Sequence, residues 1–152
     1  MSVTATRETG SPAFVDLGEV LLRVAGSAGA IARGRGVRVL VEVENGPLVV
    51  PGPAGALYDA VLEAVGQSVT TCAPGSQIVL DVHREDGGVV VSITENDQDA
   101  RAARVDTARV AAAVQALGGR LSTTSVDFVG TVVSLWWPVV APAVPTRHLS
   151  LV

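Results

Sequence analysis

The sequence predicts an α+β domain: a two-layer α/β sandwich in which a mixed, mostly antiparallel sheet carries its helices on one face. Three observations point there. Pairs of apolar runs alternate with stretches of helical periodicity, giving the order α, β, β, α, β, β, α, β, β. Glycine- or proline-containing turns mark nearly every junction. The chain's 152 residues are 48% hydrophobic and only 17% charged, enough apolar side chain for one packed core and too much for a disordered chain. Aromatics make up 3%, so that core is built from Val, Leu, Ile and Ala.

Residues 1–13 read as a flexible leader. In residues 17–33, Leu17, Val20, Leu21, Val24, Ala28 and Ile31 recur at helical spacing behind a candidate N-cap, Asp16, and Gly34 and Gly36 mark the end. Residues 37–44 alternate between apolar and polar, the pattern of a half-buried strand. After Asn45-Gly46-Pro47 comes a short run, Leu48-Val49-Val50, which Pro51-Gly52-Pro53 breaks. A second helix is expected over 54–72, with Leu57, Val61, Val65 and Val69 inward at steps of four. Strands over 77–83 and 89–94 flank a five-residue hairpin loop in which Asp86-Gly87 supplies the turn chemistry. A third helix over 105–117 stops at Gly118-Gly119, and strands over 120–125 and 131–137 complete the domain at 138. The adjacent Trp136 and Trp137 send one ring to each face, and Pro138, Pro142 and Pro145 make 139–152 a tail without regular structure.

Composition excludes several functions. All 11 basic residues are Arg and the net charge is −4, which argues against a nucleic-acid binder needing a basic footprint. One cysteine, Cys72, leaves no internal disulfide and no cysteine zinc site; a buried thiol is expected. No secretory signal opens the chain, and Asp127, Gly130 and Pro138 interrupt the most apolar stretch, so the expectation is a cytoplasmic protein without membrane contact. Neither a G-x-S-x-G elbow nor a phosphate-loop lysine motif is present. His83, at a strand end, reads as a surface residue.

Two stretches carry candidate chemistry. Glu63 and Gln67 lie one helical turn apart and face the same way. Glu95-Asn96-Asp97-Gln98-Asp99 is an acidic stretch behind the second strand pair, followed by Arg101, Arg104 and Arg109, which either pair with nearby carboxylates or grip phosphate.

Over residues 14–138 the order and spacing resemble the ATP-binding domain of sensor histidine kinases. That domain belongs to the GHKL superfamily (Bergerat-type fold), shared with DNA gyrase, mismatch-repair ATPases, the ninety-kilodalton heat-shock chaperone and anti-sigma-factor kinases. Glu63-Ala64-Val65-Gly66-Gln67-Ser68 falls at the family's N box, N-L-L-x-N-A. The resemblance implies a general base at Glu63 and a magnesium position at Gln67. Glu95-Asn96-Asp97-Gln98-Asp99 falls at its D-N-G-x-G box, implying that Glu95 accepts from the adenine amino group. Gly130-Thr131 resembles the start of its G-T-x-F-x-F final strand and completes the implied ATP site.

The departures lie at the nucleotide. Gln67 replaces Asn, Glu95 replaces Asp, and Asp97 and Asp99 replace both glycines, adding carboxylates beside an anionic ligand. Only about five residues, 100–104, stand where the kinases carry a lid. The 13 leading residues are too few for a phosphoacceptor helix, so ordinary autophosphorylation is not expected. The sequence therefore points to a stand-alone degenerate ATPase domain in bacterial signalling, a protein-binding pseudo-ATPase with weak or no use of ATP and magnesium. Its expected partner is a kinase, a response regulator or a sigma-factor antagonist. The alternative is an ATP-binding kinase subunit phosphorylating a separate protein, as anti-sigma-factor kinases or one half of a split sensor kinase would. A homodimer stays open.

Overall fold

The structure, a computed structural model, describes residues 14–96, 107–126 and 130–139. The leader, the tail from 140, and residues 97–106 and 127–129 lie outside that set; Asp97, Asp99, Arg101 and Arg104 are therefore not placed.

Asp16 ends a three-residue strand, β1 (Phe14–Asp16), and caps the helix that follows, α1 (Leu17–Gly34), accepting from the Gly18 N–H at 2.8 Å. Leu17, Val20, Leu21, Val24 and Ala28 are buried as the periodicity requires. Ile31 is not: it is 57% exposed, and Ala32 takes the inner position at 1%. There the helix ends and the stripe with it: the Ala32 carbonyl accepts the N–H groups of both Arg35 and Val37.

The chain then forms β2 (Arg38–Val43) and β3 (Val49–Pro51). β3 pairs antiparallel with β1, a two-stranded ribbon the sequence pattern missed because three residues carry no period. Next is α2 (Ala54–Thr71), whose Leu57, Val61, Val65 and Val69 are all at most 1% exposed. Each such burial contributes about 1.5–3 kcal/mol. Arg35 bonds the Val69 and Thr70 carbonyls, closing the C-terminal end of α2 and tying it to the end of α1.

β4 (Gln77–Glu85) and β5 (Gly88–Glu95) form a hairpin tighter than expected. Glu85 pairs directly with Gly88, so the loop is two residues, not five. Asp86 (φ 53°) and Gly87 (φ 72°) both take left-handed conformations, the geometry whose twist matches the flanking strands. His83 thus sits inside a strand. Then follow α3 (Thr107–Ala116), β6 (Arg120–Val126) and β7 (Gly130–Pro138).

The main sheet has the order β2-β4-β5-β7-β6; β2 and β4 run parallel and the other neighbours antiparallel. Ile78, Leu80 and Val82, with Val89, Val91 and Ile93 and with Val133, Leu135 and Trp137, form its inner face against the helices. Trp137 is fully buried there, while Trp136 lies on the outer face, where the Arg120 guanidinium stacks 4.1 Å from its ring centroid. Among the described residues no helix is long and apolar enough to cross a membrane.

Candidate functional site

Alternation along β5 sends Val89, Val91, Ile93 and Glu95 to the inner face, so the last of them is a carboxylate in an apolar row. Glu95 is only 2% exposed. It is not isolated: the Cys72 thiol, at the end of α2 and also buried, donates to its Oε1 at 3.5 Å. Across the sheet Glu95 stands opposite Thr131 of β7. Gly130 starts β7 at φ 129° with its Cα against the Glu95 carbonyl oxygen, so close that any Cβ would collide with that backbone atom. Glycine there is a steric requirement of the β5–β7 junction.

The next residue, Asn96, extends the pairing one step. Its N–H donates to the Gln77 carbonyl at 3.2 Å, and its Oδ1 accepts the Gln77 N–H at 2.8 Å. An asparagine at this point of the motif is therefore engaged in fastening β5 to the first residue of β4.

Glu63 and Gln67 do share one face of α2, joined by a hydrogen bond from Gln67 Nε2 to Glu63 Oε2 at 2.9 Å. The same carboxylate oxygen lies 3.7 Å from Nε of Arg109 on α3, so the two helices meet across it. Of the two uses open to Arg109 in the sequence, the one seen is pairing with a carboxylate. These contacts bear on magnesium, which wants several hard oxygen ligands in near-octahedral array. As arranged, the Glu63 carboxylate faces the Gln67 amide N–H and the Arg109 guanidinium, so a dication held by Glu63 and Gln67 would have to displace those contacts.

The structure thus brings the predicted residues into two groups: Glu63 with Gln67, and Glu95 with Asn96, Gly130 and Thr131. Cys72 was legible as a buried thiol but not as the partner of Glu95; nothing local in the sequence links residues 23 positions apart. One buried polar group stays unsatisfied near this region: the hydroxyl of Ser68, one helical turn before Cys72, has no hydrogen-bond partner among the described residues.

The fold is that of histidine-kinase ATP-binding domains. Three solved structures carry the comparison. The ATP-binding domain of PrrB from Mycobacterium tuberculosis is 22% identical, with a TM-score of 0.69 over 86% of this chain and 98% of that one. The mycobacterial sensor histidine kinase MprB is also 22% identical, with a TM-score of 0.66 over 84% of this chain and 97% of that one. The catalytic domain of histidine kinase ThkA reaches a TM-score of 0.71 at 13% identity, over 84% of this chain and 97% of that one. No family model and no curated protein matches the sequence.

Proposed function

We propose that this chain is a histidine-kinase-like ATPase domain acting in bacterial signalling as a protein-binding pseudo-ATPase, with weak or no affinity for ATP. The observation that supports it is the Glu63–Gln67–Arg109 cluster. The two side chains assigned by resemblance to the base and the magnesium position are bonded to each other, and a guanidinium is paired with the carboxylate. Asn96 is likewise engaged with β4. The likeness to sensor-kinase domains makes a cytoplasmic kinase, response regulator or sigma-factor antagonist the expected partner.

A second reading has one specific observation behind it. Glu95 is a buried carboxylate opposite Thr131, a polar pair inside an otherwise apolar region, as an adenine-reading site requires. An ATP-binding kinase subunit acting on a separate protein would use it, with Glu95 accepting from the adenine amino group.

Thermal unfolding separates the two. A ligand at 100 times its dissociation constant stabilises by about 2.7 kcal/mol, or roughly 5–10 °C for a chain of this size. The pseudo-ATPase reading expects the midpoint to stay within 1 °C or so of its ligand-free value at millimolar magnesium-ATP. A shift of several degrees that vanishes in Glu95→Ala would overturn it in favour of the kinase subunit.

A further inference from the structure

The two edges of the main sheet are unlike. β6 closes one side with Ser122, Thr123, Thr124 and Ser125, a run of hydroxyls. β2 closes the other with Arg38-Val39-Leu40-Val41-Glu42-Val43, an apolar strand with a charge near each end. Natural edges are blunted by a proline, a bulge or charges that repel a second strand. β2 has neither proline nor bulge, and its register with β4 runs unbroken from Arg38 opposite Gln77 to Val43 opposite Val82.

The pairing with β4 decides what β2 offers on its open side. Arg38 donates its N–H to the Ser76 carbonyl and Glu44 donates to the Val82 carbonyl, each at 3.0 Å. Main-chain groups alternate sides along a strand, so the even-numbered residues serve β4 while Val39, Val41 and Val43 turn N–H and C=O outward. Among the described residues no strand pairs with that side. Val39 and Val41 sit on the inner face beside Ile78 and Leu80 and are only half-buried. Leu40, on the outer face, is 43% exposed. Glu42 has another carboxylate, Asp81, as its neighbour on β4. Among the described residues neither Glu42 nor Arg38 has an ion-pair partner.

The strand is complementary to itself. A two-fold axis normal to the sheet sets a second β2 antiparallel to the first and keeps the helices of both copies on one side. With that axis at Leu40, Arg38 faces the partner's Glu42 and Leu40 faces the partner's Leu40. Val39 and the partner's Val41 then exchange both N–H···O=C bonds, as their outward groups require, and the charged and leucine pairs fall at the closer, non-hydrogen-bonded positions. Moving the axis to Val39 sets Arg38 against Leu40, and moving it to Val41 sets Leu40 against Glu42. The Leu40 axis alone of the three matches charge with charge and apolar with apolar. An apolar flank lies beside the seam. A Cβ on Gly18 would stand 3.1 Å from Val43 Cγ1, and Leu22, one turn further along that flank of α1, is exposed.

We propose that β2 is a dimerisation edge and that its occupant is a second copy of this chain, the two sheets joining into one across the Leu40 axis. The seam stands apart from the nucleotide residues, since Glu63 and Gln67 are on α2 and Glu95 is on β5, which β4 separates from β2. It is therefore tested on its own, whichever way the thermal-shift experiment falls.

The test is sedimentation equilibrium on the full chain, from about 1 µM to 1 mM, a range that spans weak association. The mass should rise from monomer toward dimer, and amide exchange at Val39 and Val41 should slow as the dimer fills. Arg38→Glu and Glu42→Arg each turn two attractive pairs into two repulsive ones and should weaken the dimer roughly tenfold. Combining both substitutions in one chain restores the pairing and should recover the dimer. An equimolar mixture of the two single variants should also associate, because every facing pair is then opposite in charge, and that arm shows that each variant is folded. A chain monomeric throughout, a dimer indifferent to the single reversals, or reversals that neither the double variant nor the mixture rescues would each overturn the proposal.

Discussion

The β4–β5 hairpin and the β5–β7 junction close opposite ends of strand β5, and they do so by different physics. At the hairpin, conformation is everything: Asp86 and Gly87 adopt left-handed geometry, and nothing lies within 4 Å of where a Gly87 Cβ would be. At the junction, space is everything: Gly130 is pressed against the Glu95 carbonyl, and buried polar groups are bonded to one another. A turn set by local dihedrals can be read from two letters of sequence. A junction set by contacts between distant residues cannot, and one of the two groups of candidate residues, Glu95 with Asn96, Gly130 and Thr131, lies at the junction.

One substitution made at both ends measures that difference. Gly130→Ala puts a methyl into a backbone oxygen that no side-chain rotation can clear, so β5 and β7 must separate where they meet. The expected cost is about 3 kcal/mol or more, a fall in midpoint of roughly 10 °C. Gly87→Ala pays only for the left-handed conformation, about 1–2 kcal/mol, or a few degrees. Thermal or urea unfolding of the two variants side by side checks it. Equal losses would mean that the Gly130 contact relaxes freely and that the junction is no tighter than the turn.

How far the sequence reached follows the same division. The inner stripe of α2, the Asp16 cap, the Asp86-Gly87 turn and the opposed tryptophans were legible because each is a local pattern of period, cap or dihedral. The β1 strand was not, since three residues carry no period, and Ile31 was misplaced because the stripe ends with the helix in its last turn. At the candidate site, motif spacing picked out the residues, and the shared helix face of Glu63 and Gln67 was legible from it. The bonding was not: that Cys72 would meet Glu95, Asn96 would turn to Gln77 and Arg109 would reach Glu63 are facts of tertiary register. The row that Ser92, Ser134 and Ser122 form across β5, β7 and β6 is of the same kind, invisible until those strands are laid side by side.

A smaller effect marks the outer face near the hairpin. His83 has its pKa raised above 6.5, first by the hydrogen bond to Glu85, with the charge of and hydrogen bond to Asp81 adding to it and partial burial opposing. A folded-state value above the unfolded one means that protonated His83 stabilises the fold. That contribution is complete below about pH 6.5, the unfolded value, and is lost as pH rises through the raised folded value. Screening at a half-exposed site limits it to about 1 kcal/mol or less. Wild type should therefore lose a degree or two of midpoint between pH 6 and pH 8.5 that His83→Gln does not lose. Parallel pH profiles would mean that the Asp81–His83–Glu85 contacts do not form in solution.

The smallest expected change tests the site most directly. The Arg109–Glu63 pair spans 3.7 Å with Arg109 70% exposed, so Arg109→Ala should alter stability by less than about 0.5 kcal/mol. Because the fold barely registers the change, an effect on nucleotide affinity reports on the α2–α3 contact around Glu63. With the guanidinium gone, Glu63 still holds the Gln67 amide 2.9 Å away on its own helix, and that contact does not depend on α3. The cluster is thus closed locally, and magnesium-ATP should still fail to shift the midpoint of Arg109→Ala. If the variant instead gains several degrees with magnesium-ATP, Arg109 is the element that keeps the cleft shut. The domain would then be an ATPase fold held off by one removable cation, and the contrast between a fixed hairpin and a self-satisfied junction would have to be redrawn around α3.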